Sequence, residues 1–329
     1  MTSSIHQKEG KNMRKIRNDR MTDDHSGNII EINGLTYSYG KEEAISEIDL
    51  MMQSPKIYGL IGRNGAGKTT LLSLLAAFRD LQGGELRVFG ETPYENPGVL
   101  REVSYHGKPD YEEEDEKVGD YFDFYRRYRP KFDKGYAVEL SEIFEIPLKK
   151  PINRLSQGKQ SALNGILGLA SRTPVTIFDE VYLGMDAPAR MRFYKEVLQE
   201  QMTHPRLMIL STHLILEMEY LFDHVVIMDH GKILVDEPVD EVLERGFAVT
   251  GEKSKVAEFT EGMTVLNREE LGPTQKAILL GKIDEEKERE LDRLDLQISD
   301  VSLQDLFIHM TERKKDTEDL SEKGGGHHE

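Results

Sequence analysis

The sequence predicts an α/β fold in which helices cover a parallel β-sheet, and three observations carry that expectation. Short apolar runs at 58–61, 175–178 and 207–210 have the length and composition of central strands buried on both faces. A helix-patterned stretch, residues 187–202, lies between the second and third runs, and strand–helix–strand alternation is the pattern of parallel sheets. The first run meets a glycine-rich turn and then an apolar helix pattern opening at Lys68-Thr69-Thr70.

Taken in order, residues 1–27 are polar and uneven in charge and are expected to form a disordered basic arm. The arm has no apolar segment of the kind a secretory signal needs. Residues 29–40 alternate apolar and polar and turn at Gly40, as a strand does, and 85–91 repeat the signal after Gly83-Gly84. Residues 118–129 read as an aromatic-rich helix ended by Pro130, and the aromatics Tyr121, Phe122, Phe124, Tyr125 and Tyr128 are expected in the core of a helical subdomain at about 110–170. Residues 224–238 predict a hairpin turning at Asp229-His230-Gly231-Lys232. Beyond 246 the chain is highly charged, yet 277–283 and 294–300 still read as strands. A disordered tail is expected over 314–329, where two terminal histidines read as solvated rather than as a metal site.

The 329 residues suffice for one large domain or two. A net charge of −17, from 43 basic and 60 acidic residues, argues against nucleic acid as a partner, since phosphate backbones need a basic face. With no cysteine there is no disulfide or thiolate chemistry. No run approaches the ~18 apolar residues of a membrane span, so a membrane role needs a partner that spans.

Gly62, Gly67, Lys68 and Thr69 fit G-x-x-x-x-G-K-[ST]. The loop Gly62-Arg63-Asn64-Gly65-Ala66-Gly67-Lys68-Thr69-Thr70 lets successive backbone amides face one anion, and the helix start adds its positive end. That is a cage for a nucleoside triphosphate. Lys68 reaches its β- and γ-phosphates and the Thr69 hydroxyl takes Mg²⁺. The run 175–178 ends in Asp179-Glu180, which a strand lifts to the carboxyl edge of the sheet. There Asp179 can hold Mg²⁺ through water and Glu180 can orient or deprotonate the attacking water. Ser156-Gln157-Gly158 open a further apolar helix, whose start is again an anion site.

These segments together resemble the ATP-binding subunit of an ABC transporter, over about residues 28–245. The P-loop is GRNGAGKT, LSQGK resembles the family's signature LSGGQ, and VTIFDE resembles its Walker B strand. Gly184-Met185-Asp186 matches the D-loop, His213 in LSTH matches the switch histidine, and Tyr39 in YSYG falls where the family stacks an aromatic on adenine, with Tyr37 as the rival. The resemblance implies an ATPase with ATP and Mg²⁺ as cofactors. In it two subunits, as homodimer or heterodimer, close head to tail over ATP. Ser156 and the backbone near Gly158 would reach the nucleotide of the opposite subunit, Gln157 and Asp186 count among the nucleotide-binding residues, and Glu180, His213 and Lys68 would carry the catalysis. It also implies a separate membrane-spanning permease and a cytoplasmic, membrane-peripheral location. SLQDLFIHMTER is similar to the closing segment of bacterial exporter ATPases, with 246–313 a small C-terminal α/β domain. The alternative is a soluble ABC ATPase with a mechanical or regulatory role. The sequence departs from the family at Lys108, where a glutamine is usual. Lys108 would approach the γ-phosphate, or point away while His106 or water substitutes. Gln157, Lys159 and Val181 also replace usual residues, and slower hydrolysis is the expectation.

Overall fold

The computed structural model describes residues 27–311. The rest of the arm and the tail 314–329 lie outside them. The described residues divide into two compact units, 27–213 with 221–236, and 214–220 with 237–311.

In the first unit, β1 (Gly27–Tyr39), β2 (Glu42–Ser54) and β4 (Gly83–Val88) form an antiparallel sheet in the order β2-β1-β4. Its alternating pattern holds because one face alone is buried: Ile30, Ile32, Leu35 and Tyr37 point inward from β1. A six-stranded sheet runs β5-β6-β7-β3-β8-β9, built from β3 (Ile57–Ile61), β5 (Val103–His106), β6 (Val175–Asp179), β7 (Leu207–Thr212), β8 (His224–Asp229) and β9 (Lys232–Pro238). The pairings β5/β6, β6/β7, β7/β3 and β3/β8 are parallel. Every residue of β3, β6 and β7 is buried, which is why these strands read as continuous apolar runs. One core joins both sheets and α1 (Lys68–Leu75), with Ile32, Leu50, Leu60, Leu71, Ile177 and Ile209 among its members.

The helices are α2 (Pro97–Glu102), α3 (Val118–Tyr128), α4 (Lys134–Ile143), α5 (Gln157–Ser171) and α6 (Ala187–Thr203). Asn96 and Asp133 cap α2 and α4 by accepting backbone N–H groups. The aromatic expectation for α3 is corrected in part. Phe122 is fully buried beside Phe132, with Tyr125 packed on the same ring. Phe124 and Tyr128 are exposed, because a helix with Val118, Phe122 and Tyr125 inward turns positions 124 and 128 away.

The second unit holds α7 (Val239–Arg245), β10 (Gly246–Glu252), α8 (Lys253–Phe259), β11 (Thr264–Leu271), β12 (Thr274–Leu280), α9 (Glu285–Leu294) and β13 (Gln297–Asp300). Its antiparallel sheet runs β11-β12-β10-β13 over a core of Phe247, Val249, Val256, Phe259, Ala277 and Leu279. The strand expected over 294–300 is confined to 297–300. Leu294 ends α9, Asp295 closes it in the left-handed conformation, and Leu294 and Leu296 both turn into the core. Residues 303–311 are helical.

Candidate active site

β3 ends at Ile61, and residues 62–67 carry the chain into α1. Space alone fixes two glycines there. A Cβ on Gly62 would stand 2.7 Å from the Met228 carbonyl oxygen, and one on Gly67 2.5 Å from that of Ala44. Gly67 also takes φ 101°, open to glycine at little cost. The first turn of α1 holds no acidic residue of its own to offset its positive end.

A cavity of about 310 Å³ lies over this loop, lined by Tyr39, Glu42, Glu43, Ala44, residues 64–70 and Glu180. Lys68 is buried. Its ammonium donates to the carbonyls of Gly62 at 2.7 Å and Arg63 at 3.2 Å and stands 3.9 Å from Glu180 Oε1. Burial lowers the Lys68 pKa, against the pull of the Glu180 and Asp179 carboxylates. Gly62 and Arg63 thus serve behind the cavity wall, holding the lysine. Thr69 is exposed to the cavity, whereas Thr70 is buried, its hydroxyl 3.4 Å from that of Tyr39.

Of the two candidate tyrosines, Tyr39 lines the cavity and Tyr37 is buried. A register irregularity between Tyr37 and Ser38 interrupts the alternation that would put both on one face. Arg79 lies 4.8 Å over the Tyr39 ring, and Tyr37 meets it edge-on at 5.2 Å.

Asp179 is the last residue of β6, and the β6/β7 register sets it opposite Ser211. The Ser211 hydroxyl donates to Asp179 Oδ1 and accepts the Glu180 N–H at 3.0 Å. Tyr105 donates to Asp179 Oδ2 at 2.8 Å, and burial beside that carboxylate raises the phenol pKa, so the hydroxyl stays a donor. Asp179 and the Thr69 hydroxyl are hard oxygen donors, the set that suits Mg²⁺. Glu180 sits at φ 50°, a left-handed conformation that costs a non-glycine residue about 1 kcal/mol. Its Oε1 accepts from His213 Nδ1 at 3.0 Å. Loop, lysine, acid and histidine therefore converge.

Ser156, Gly158 and Asp186 line a different cavity, of about 390 Å³. Ser156 is the N-cap of α5 and uses no side-chain bond to cap it. A Cβ on Gly158 would lie 2.7 Å from the Gly184 carbonyl oxygen, so glycine lets the first turn of α5 touch the 184–186 turn. Asp186 caps α6, accepting the Ala189 N–H at 2.9 Å. Gln157 is exposed, its side chain near Gly184. Lys159 and Arg192 also line this cavity: Lys159 donates to the Glu145 carbonyl at 2.6 Å, and Arg192 to that of Ile143 at 2.9 Å, so both satisfy carbonyls where α4 ends. No residue lines both cavities, so one chain does not bring the two halves together.

Lys108 is exposed and does not line the P-loop cavity. The expectation that His106 could substitute is corrected. His106 is buried beside Phe178 and Tyr125 and bonded to Asn164 at 3.2 Å, and burial drives its pKa down to about 4. Sequence reasoning missed Tyr105, Ser211, Tyr182 and the cavity-lining Glu42 and Glu43. Ser211 lies within the quoted LSTH, but only the strand register shows that it faces Asp179.

The family model described as ABC transporter matches residues 45–182. The chain is 26% identical over 290 residues to the ABC transporter ATP-binding protein YtrB of Bacillus subtilis, covering 85% of this chain and 97% of that one. It is 26% identical over 235 residues to the bacitracin transport ATP-binding protein BcrA of Bacillus licheniformis, covering 66% and 72%. A solved structure titled as the ATP binding subunit of an ABC transporter shares the fold with a TM-score of 0.58 at 19% identity, over 65% of this chain and 91% of that one. Over residues 45–182 the chain is thus similar to the ATP-binding domain of the ABC transporter family, and it shares the fold of solved ATP-binding subunits.

Proposed function

We propose that this chain hydrolyses ATP to drive a separate membrane-spanning permease, in the direction of export and for a drug, antibiotic or similar small molecule or peptide. The observation that carries the reading is that Lys68 and Glu180 line one cavity, with His213 bonded to Glu180, while Ser156, Gly158 and Asp186 line another. A site split in this way is completed by a second ATPase chain, identical or related. Similarity to the bacitracin transport protein supports the choice of cargo class.

In this reading the loop amides and Lys68 hold the β- and γ-phosphates, and Tyr39 stacks on adenine. Thr69 directly, and Asp179 through water, would hold Mg²⁺, which neutralises phosphate charge. Glu180 takes a proton from water as the water oxygen bonds to the γ-phosphorus and the bond to the ADP oxygen breaks. His213 contacts the γ-phosphate and keeps Glu180 oriented. Ser156 and Gly158 of one chain cover the triphosphate of the other, so ATP closes the pair and ADP with phosphate lets it open. Residues 28–245 form this motor and 246–313 an appended domain.

Glu180→Gln tests it. Turnover is expected to fall by about 10²–10⁴-fold while ATP still binds. Gel filtration with Mg·ATP, with the natural partner chain where one exists, should show a dimer; a monomer alone would remove the clamp. Stimulation by a co-reconstituted permease supports transport, and stimulation by ribosomes without permease association would favour the soluble alternative.

A further inference from the structure

Tyr182 stands two residues beyond Glu180 and is 2% exposed, yet its hydroxyl lies in the catalytic neighbourhood. That oxygen accepts the backbone N–H of His213 at 3.2 Å and stands 3.0 Å from Thr212 Oγ1 and 3.5 Å from His213 Nδ1. The rings of Tyr182 and His213 are 6.1 Å apart. A buried phenol costs free energy unless its hydroxyl is bonded, so this one is held where its partners are.

The hydrogens can be assigned. An ionised Glu180 only accepts, so the 3.0 Å contact places a proton on His213 Nδ1. Nδ1 then has no lone pair for the Tyr182 hydrogen, and Thr212 Oγ1 at 3.0 Å is within its reach. Neutral His213 is therefore the Nδ1–H tautomer, with Nε2 as its acceptor. Tyr182 anchors the backbone from which this ring hangs. It is anchored in turn on the segment leading to Asp186, because its carbonyl accepts the Met185 N–H at 3.0 Å.

We propose that Tyr182 is a positioning residue whose buried hydroxyl ties the 180–186 segment to His213 and holds the imidazole Nδ1–H on Glu180. This rests on the ATPase reading for its consequence but not for its geometry. Asp186 lines the second cavity, and the Tyr182 hydroxyl links the segment that carries Asp186 and Glu180 to His213.

The test is Tyr182→Phe, which keeps the ring, with Thr212→Val as a companion that removes the acceptor of the Tyr182 hydrogen. Two readouts are taken on the full chain: steady-state ATP hydrolysis, and the ring ¹⁵N shifts of His213 without nucleotide, assigned by their loss in His213→Ala. For Tyr182→Phe we expect kcat to fall roughly 10- to 100-fold with KM for ATP changed less than about twofold. The His213 nitrogens should move from the Nδ1–H pattern toward a mixture of tautomers. Thr212→Val should move both in the same direction by less. Unchanged ring shifts in both variants overturn the proposal, even if melting temperature and activity fall, because that is what a merely structural tyrosine would give. Ring shifts that move in the variants, with no ATPase activity in the wild type, would uphold the positioning role and reject the ATPase reading.

Discussion

His106 and Lys68 show how one principle, burial, gives two buried nitrogens different parts. His106 is fully enclosed and pushed to about 4, and it does not line the P-loop cavity. The unfolded chain takes up that proton near pH 6.5, the folded one only near 4, so acid favours unfolding. Stability should fall between about pH 6.5 and 4 by on the order of 1–3 kcal/mol from this group. Thermal melts of wild type and His106→Leu from pH 7 to 5 check it, and the variant should show the flatter profile. Lys68 is buried with carboxylates beside it, which keep its charge useful. Lys68→Ala should abolish the rise in melting temperature that saturating ATP gives the wild type, worth about 3 kcal/mol at 100 times Kd. Lys68, Thr69, Asp179 and Glu180 could be singled out because their spacing is local to one turn or one strand end. Tyr105 could not, since its bond to Asp179 spans 74 residues and nothing near it in sequence marks it.

At the scale of elements, strand registry does the assembling. β6 and β7 pair in parallel with Asp179 opposite Ser211, and that single serine supports both the Asp179 carboxylate and the backbone of Glu180. Ser211→Ala leaves the Glu180 N–H and Asp179 Oδ1 each without this partner. A cost of about 1–3 kcal/mol in stability and a drop in kcat larger than any change in KM are expected, measured by denaturant unfolding and steady-state kinetics. Buried strands announce themselves as apolar runs, so 58–61, 175–178 and 207–210 were legible. The half-turned helix α3 was less so. Five aromatics within eleven residues look like one apolar set, yet a period of 3.6 sends Phe124 and Tyr128 to the outside. The end of α9 misled for a related reason: alternation across 294–300 mimics a strand, while the left-handed Asp295 breaks it.

On the scale of the molecule, among the described residues one core is shared by the two sheets of the first unit and another lies in the second unit. Phe259→Ala, in the latter, should cost about 3–5 kcal/mol there. ATP affinity should change less than about twofold, by titration with a fluorescent nucleotide, if the cores are energetically separate. The sequence by itself determined the α/β class, the phosphate loop, the acidic strand end and the order of the motifs, because each is written in contiguous residues whose spacing obeys backbone geometry. Tertiary structure alone decided which tyrosine lines the cavity, that His106 is shut away from it, that hydroxyls from Tyr105 and Ser211 hold Asp179, and that the signature serine faces a separate cavity. Those contacts depend on strand register and on packing between distant segments, and no local pattern encodes how far apart in the chain two touching groups will be.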